Sequence, residues 1–295
     1  MKKILLLLLS VLTIAAYSQK TDLTTVNTVK PKKGQKMAFE AAYKQHIAKF
    51  HKAEEKLNVY EILSGHYAGY YHLVNSGRSY ADFDKERTDA NAHSLDLDKT
   101  FFPYLEETIN GTYRFMDSLS YKPDTTAEKF VVNVSHLKQG LNMADYRREL
   151  ARGVKISMML KTPFWANVSF SYFEQLWDGS DQVTVSIRNL KDGFKSLEPN
   201  FYGPTPAGSP GFRDLYAKEY GHTAWDDRVK LMEGAVEKSE VYIMKLRKDL
   251  SSQYIHLTRR LSQKSIILIA DISTSRLSMT IKTVFKTASF ILCMS

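Results

Sequence analysis

Val26-Asn27-Thr28-Val29-Lys30-Pro31 runs into Lys32-Lys33-Gly34-Gln35-Lys36-Met37-Ala38, and the pattern returns about a hundred residues later. The second copy reads Val131-Val132-Asn133-Val134-Ser135-His136, then Lys138-Gln139-Gly140-Leu141-Asn142-Met143-Ala144. In each copy an alternating, β-branched segment meets a Gly-x-x-Met-Ala turn, and a helical run follows, to Phe50 and to Leu160. The period changes from two to about three and a half at the glycine, so each copy reads as a strand feeding an amphipathic helix. Phe39, Tyr43, Ile47 and Phe50 share one helix face, with His46 beside them. Met143, Tyr146, Leu150, Val154 and Met158 share the face of the other. Met37 and Met143 read as core gap-fillers.

Outward from these copies, the chain divides into two units. After the first helix, Val59 to Val74 is rich in tyrosine and histidine, with Gly65 and Gly69 marking a bend within a β-hairpin. Asn75-Ser76-Gly77 reads as the turn beyond it. The spacing of Phe102, Leu105, Ile109, Tyr113, Met116 and Leu119 predicts a long helix over Thr100 to Ser120. Tyr121 to Lys129, with Pro123-Asp124-Thr125-Thr126, is the linker. In the second unit, Phe164 to Trp177 alternates as a strand and Val183 to Arg188 is its partner. Asn200 to Gly211 is a Gly/Pro loop, and a four-three repeat from Trp225 to Leu250 predicts a final helix.

The ends differ from the body. Lys2 and Lys3, the apolar run Ile4 to Ala16 and Ala16-Tyr17-Ser18 form a signal-peptide pattern, so residues 1–19 are expected to be removed on export to the periplasm or medium. The single cysteine, Cys293, cannot close an intrachain bridge. The formal charge of +9 is concentrated in Lys2, Lys3 and an almost acid-free tail over residues 252–295. The body therefore lacks the basic footprint of a nucleic-acid binder. The organisation expected is a signal at 1–19, a first half at 20–122, a linker at 123–129, a second half at 130–251 and the atypical tail. No membrane contact is expected after signal removal. The assembly expected is a monomer or homodimer.

Each unit reads strand, helix, hairpin, helix. With Val26 to Phe50 and Val131 to Leu160 carrying the likeness, the chain resembles the dimeric α/β-barrel superfamily of ferredoxin-like domains, antibiotic-monooxygenase or stress-responsive-barrel type, as two tandem halves. The fold expected is α+β, two βαββα halves packed sheet to sheet as an intrachain barrel. The resemblance implies either a binding protein for a small apolar or aromatic molecule, between sheet and helices, or a cofactor-independent monooxygenase or haem-linked enzyme. His66, Tyr67, Tyr70 and His72 are candidate pocket residues, since a cavity with few polar groups among aromatics suits a small molecule. Trp165 joins them, as does His222, which begins a helix and is a candidate base or axial haem ligand. Metal motifs are weak: His46 and His51 are five apart, unlike an i, i+4 pair, and His66 and His72 have no cysteine and no acidic companion at ligand spacing. Neither a metal nor a tightly held cofactor is therefore expected, and the catalytic residues are not identifiable from sequence. There is no phosphate loop, nucleophile elbow or cysteine nucleophile.

Overall fold

The two strand–glycine–helix copies form as the period change predicts in a computed structural model, which describes residues 21–252 except 52–54, 56, 123–126, 177–181 and 200. Strand β1 (Leu23–Pro31) leads into helix α1 (Lys36–Phe50), with Gly34 at φ +78° in the turn. The equivalent strand β5 (Lys129–Leu137) leads into α3 (Met143–Met159), with Gly140 at φ +76°. Both glycines sit in the left-handed region that side chains disfavour, which is why the motif needs them. The second copy is capped by Asn142, whose side-chain oxygen accepts the Ala144 and Asp145 amides.

Between the copies lie β2 (Leu57–Ile62), β3 (Tyr71–Arg78), a short α2 (Ala90–Asp96) and β4 (Leu105–Phe115). After α3 come α4 (Pro163–Asn167), β6 (Phe170–Leu176), β7 (Gln182–Asn189), α5 (Phe212–Tyr220), α6 (His222–Ala235) and β8 (Val236–Leu246). The eight strands close into an antiparallel barrel in the order β1-β3-β2-β8-β5-β7-β6-β4. The fold is thus α+β, a closed eight-stranded barrel carrying six helices among the described residues.

The ladders are unequal. β1 pairs with β4, and β5 with β8, over nine positions each. The two seams joining β1–β4 to β5–β8 are shorter. The β2–β8 seam has three pairs, from Tyr60↔Leu246 to Ile62↔Met244. The β4–β6 seam has four, from Thr112↔Leu176 to Phe115↔Phe173. Beyond the end of β8 the exposed edge of β2 is closed by side chains. The Ser251 and Ser252 hydroxyls, fully buried, accept the amides of Val59 and Leu57.

Strand alternation splits the apolar residues into two layers. Val29, Leu57, Val59, Tyr71 and Leu73 face outward and pack with Phe39, Tyr43 and Ile47 of α1. Leu137 and Tyr172 likewise pack with Tyr146 of α3. The opposite residues of the same strands, among them Val26, Tyr60, Val74, Phe130 and Val132, face into the barrel.

Several expectations are corrected. Thr100 to Ser120 is not one helix: short helical turns end at Tyr104 and β4 follows. Phe164 to Trp177 is not one strand, because Pro163 starts α4, whose cap is Thr162, and β6 begins only at Phe170. The helix from Trp225 ends at Ala235, and the chain continues directly into β8. Asn75-Ser76-Gly77 lies inside β3. Met37 is 76% exposed rather than a core residue, whereas Met143 does pack beneath α3. Ser252, assigned to the tail, belongs to the body; residues 1–20 and 253–295 lie outside the described residues.

Candidate functional site

The inward layer does not fill the barrel. A cavity of about 600 Å³ remains inside it, within the range of small-molecule sites. Its wall is mostly apolar: Val26, Val74, Val132, Val185 and Ile187, with Phe130 and Phe173. Polar side chains interrupt that wall, chiefly Asn58, His72 and Asn189, with the tyrosines Tyr60, Tyr113 and Tyr242. A small molecule enclosed here would be held by shape and apolar contact, with orientation set by these few groups.

His72 is the titratable group of greatest interest in the wall. β3 places it opposite Thr28 in the ladder with β1. Its Nδ1 is 2.8 Å from Thr28 Oγ1, and its Nε2 is 2.8 Å from the Tyr242 hydroxyl. A hydroxyl can donate or accept, so either neutral tautomer of the imidazole is fully partnered. Burial disfavours the charged form and lowers the His72 pKa to about 4. Burial likewise holds the Tyr242 phenol protonated, with its pKa raised. At neutral pH the row Thr28–His72–Tyr242 is therefore uncharged, with a neutral imidazole at the wall of an apolar space.

The backbone beside this row is tightly built. Gly65, at φ +83°, lies so close to β8 that an added Cβ would stand 3.0 Å from Tyr242 Cβ and 3.1 Å from the Val241 carbonyl oxygen. The Ser64 hydroxyl accepts the Ile243 amide at 2.9 Å. The glycine bend foreseen in the aromatic hairpin is thus what brings that hairpin against Tyr242.

Of the residues singled out in the sequence, His72 alone lines the cavity. Tyr67 and Tyr70 pack against the inward-facing cluster, partly buried. The Tyr70 hydroxyl donates to Glu107. His66 is exposed and only touches the Tyr67 ring. Trp165 sits on α4 among Tyr121, Phe164 and Phe212, and His222 is exposed at the start of α6. The cavity lies inside the barrel, whereas between sheet and helices the outward layer packs against α1 and α3. A haem does not fit these residues: His222 is away from the cavity, and both ring nitrogens of His72 are already engaged. Tyr242, Tyr113 and Phe173 escaped the sequence reading. The alternation of Tyr242, Met244 and Leu246 was the available signal.

No known protein family profile matches the chain, and no curated protein matches it. Among solved structures it is similar to a candidate monooxygenase of Lactobacillus acidophilus NCFM, at 12% identity and a TM-score of 0.40, covering 76% of this chain and 93% of the other. An anthrone oxidase-like protein gives 13% and 0.41, covering 80% and 95%. Chlorite dismutase from Candidatus Nitrospira defluvii, in complex with imidazole, gives 10% and 0.42, covering 81% and 97%. The closed barrel of eight antiparallel strands has the α+β architecture expected, and no family is identified for the chain.

Proposed function

We propose that this is an exported protein whose barrel encloses one small, largely apolar or aromatic molecule, and that the barrel consists of two tandem ferredoxin-like halves. The observation that carries the binding reading is the barrel cavity of about 600 Å³ with a mostly apolar wall interrupted by polar groups. The tandem reading rests on strand order: β4-β1-β3-β2 and β8-β5-β7-β6 repeat one arrangement, each beginning with a strand–glycine–helix copy. Export rests on the signal-peptide pattern of residues 1–19. Isolation of the protein from the periplasm or medium with an N-terminus at or next to Gln19 is the expected result; a cytoplasmic protein beginning at Met1 would refute export.

The binding reading is tested by titrating the neutral fluorophore N-phenyl-1-naphthylamine into the wild-type protein and into Val132→Trp, whose indole would occupy the cavity. One saturable site is expected in the wild type, and at least about tenfold weaker binding in the variant, a loss of about 1.4 kcal/mol. Equal binding by both folded proteins would place the probe elsewhere.

A second reading, a cofactor-independent oxygenase, is favoured by one feature: an uncharged imidazole faces the apolar space. His72 would accept a proton from an acidic C–H or O–H of a bound aromatic substrate once the substrate displaced the hydroxyl that hydrogen-bonds its lone-pair nitrogen, Thr28 or Tyr242. Under this reading His72→Gln abolishes turnover and leaves probe affinity nearly unchanged.

A further inference from the structure

We infer that the chain carries a metal site, independent of the barrel cavity, in which His46, His51 and His93 bind one divalent transition-metal ion of the zinc class through their Nε2 atoms. His46 lies on the buried face of α1 near its C-terminal end. His51 is the first residue past that helix, where the backbone turns extended (φ −118°, ψ 131°). His93 is supplied by α2. The five-residue spacing of His46 and His51 rules out a shared helix face only while the helix continues. Because it ends at Phe50, His51 swings back beside His46.

The three Nε2 atoms form a nearly equilateral triangle. His46 to His93 is 3.1 Å, His93 to His51 is 3.2 Å and His51 to His46 is 3.3 Å. The ring centroids are farther apart, at 4.7, 5.2 and 5.2 Å. The rings therefore converge on a common point with their nitrogens foremost. Nitrogens bound to tetrahedral zinc at about 2.0–2.1 Å are about 3.3–3.4 Å apart. The triangle matches that spacing to within a few tenths of an ångström.

Hydrogen bonding also fixes the chemistry of the apex. His46 Nδ1 is 2.9 Å from Asp96 Oδ2, and His51 Nδ1 is 2.7 Å from Glu55 Oε2. A carboxylate only accepts, so each Nδ1 carries the proton and each neutral ring turns its Nε2 lone pair toward the centre. The His93 ring has one Nε2 with which to answer two facing lone pairs. A cation at the centre satisfies all three. Carboxylates behind histidine ligands are the usual outer shell of such sites, orienting the ring and raising its basicity. Lys49 donates to the other Asp96 oxygen at 2.7 Å and holds that carboxylate in place. His51 and His93 are partly exposed, so water can reach a fourth coordination position.

The test uses the full chain, purified without a histidine tag, stripped with chelator and titrated with zinc chloride against a chromophoric competitor. One zinc per chain is expected, with cobalt(II) giving the intense visible bands of four-coordinate geometry. His51→Gln and His93→Gln, both at partly exposed positions, are expected to weaken zinc binding at least about 100-fold. Glu55→Gln is expected to weaken it about 10–100-fold. His222→Gln, on the surface of α6, is expected to leave it unchanged. Zinc bound no more tightly by the wild type than by His93→Gln would overturn the site and leave only a proton at the apex. So would six-coordinate cobalt spectra, or equal loss in His222→Gln.

Discussion

Replacing His72 with glutamine should remove most of one acid-sensitive contribution to stability. The His72 pKa lies at about 4 in the folded barrel because burial disfavours the imidazolium, and near 6.5 in the unfolded chain. Between these values the unfolded state binds more protons, so stability falls as pH falls. The contribution is fully present above about pH 6.5 and is lost progressively down to about pH 4. For this pair of pKa values the loss relative to pH 7.5 is about 2 kcal/mol at pH 5 and about 3 kcal/mol at pH 4. Water inside the cavity would solvate the cation and reduce these figures, so they are upper values. The assay is urea denaturation of wild type and His72→Gln at pH 7.5 and pH 5. Burial also lowers the pKa values of His46, His51 and His93, but they titrate in both proteins and cancel in the difference. The wild type should lose about 1–2 kcal/mol more than the variant over this interval. A difference within about 0.3 kcal/mol would mean that His72 sits in a watery, unshifted environment and that the polar row is not enclosed.

Three further outcomes follow from the packing. Arg247 binds Glu40 at 2.6 Å and Glu61 at 3.0 Å, all three largely buried, and it holds the Glu40 carboxyl below the usual range. Arg247→Met should cost about 3 kcal/mol by leaving two carboxylates facing each other, read as a drop in thermal midpoint. Gly65→Ala, which combines a positive φ with contacts at 3.0 and 3.1 Å to β8, should cost about 1–3 kcal/mol; an unchanged midpoint would show that the hairpin stands away from Tyr242. Halves separated at Pro123 should each fail to melt cooperatively alone, because the inward layer of each would be exposed, and should associate when co-expressed. Monomeric halves with normal melting would refute the shared interior.

The parts of the fold legible in sequence were those with local punctuation. A glycine at the change of period fixed β1–α1 and β5–α3. The misread parts lacked such marks. α6 passes into β8 with no loop, and Val236 and Ile243 fit both a four-three repeat and a strand. In β4, Leu105, Ile109 and Tyr113 happen to fall at helical spacing, and the run Glu106 to Asn110 is exposed throughout, so no buried alternation marks the strand. Thr162-Pro163 was a helix-start signal that the aromatic alternation of Phe164 to Tyr172 concealed. The cavity was half legible. His72 stood out by composition, but Thr28 and Tyr242 reach it only through ladder register and barrel closure. The histidine triangle needed His51 to turn back just past the end of α1 and His93 to arrive from α2, which no sequence spacing links to the pair.

The most direct test of an enclosed binding site is a methyl NMR titration of selectively labelled protein with N-phenyl-1-naphthylamine. The inward methyls of Val26, Val74, Val132, Val185 and Ile187 should shift together and saturate at one equivalent, while outward Val29 and Val59 beneath α1 stay in place. Shifts confined to surface methyls, or spread over the outward layer with the inward set unmoved, would contradict a ligand inside the barrel.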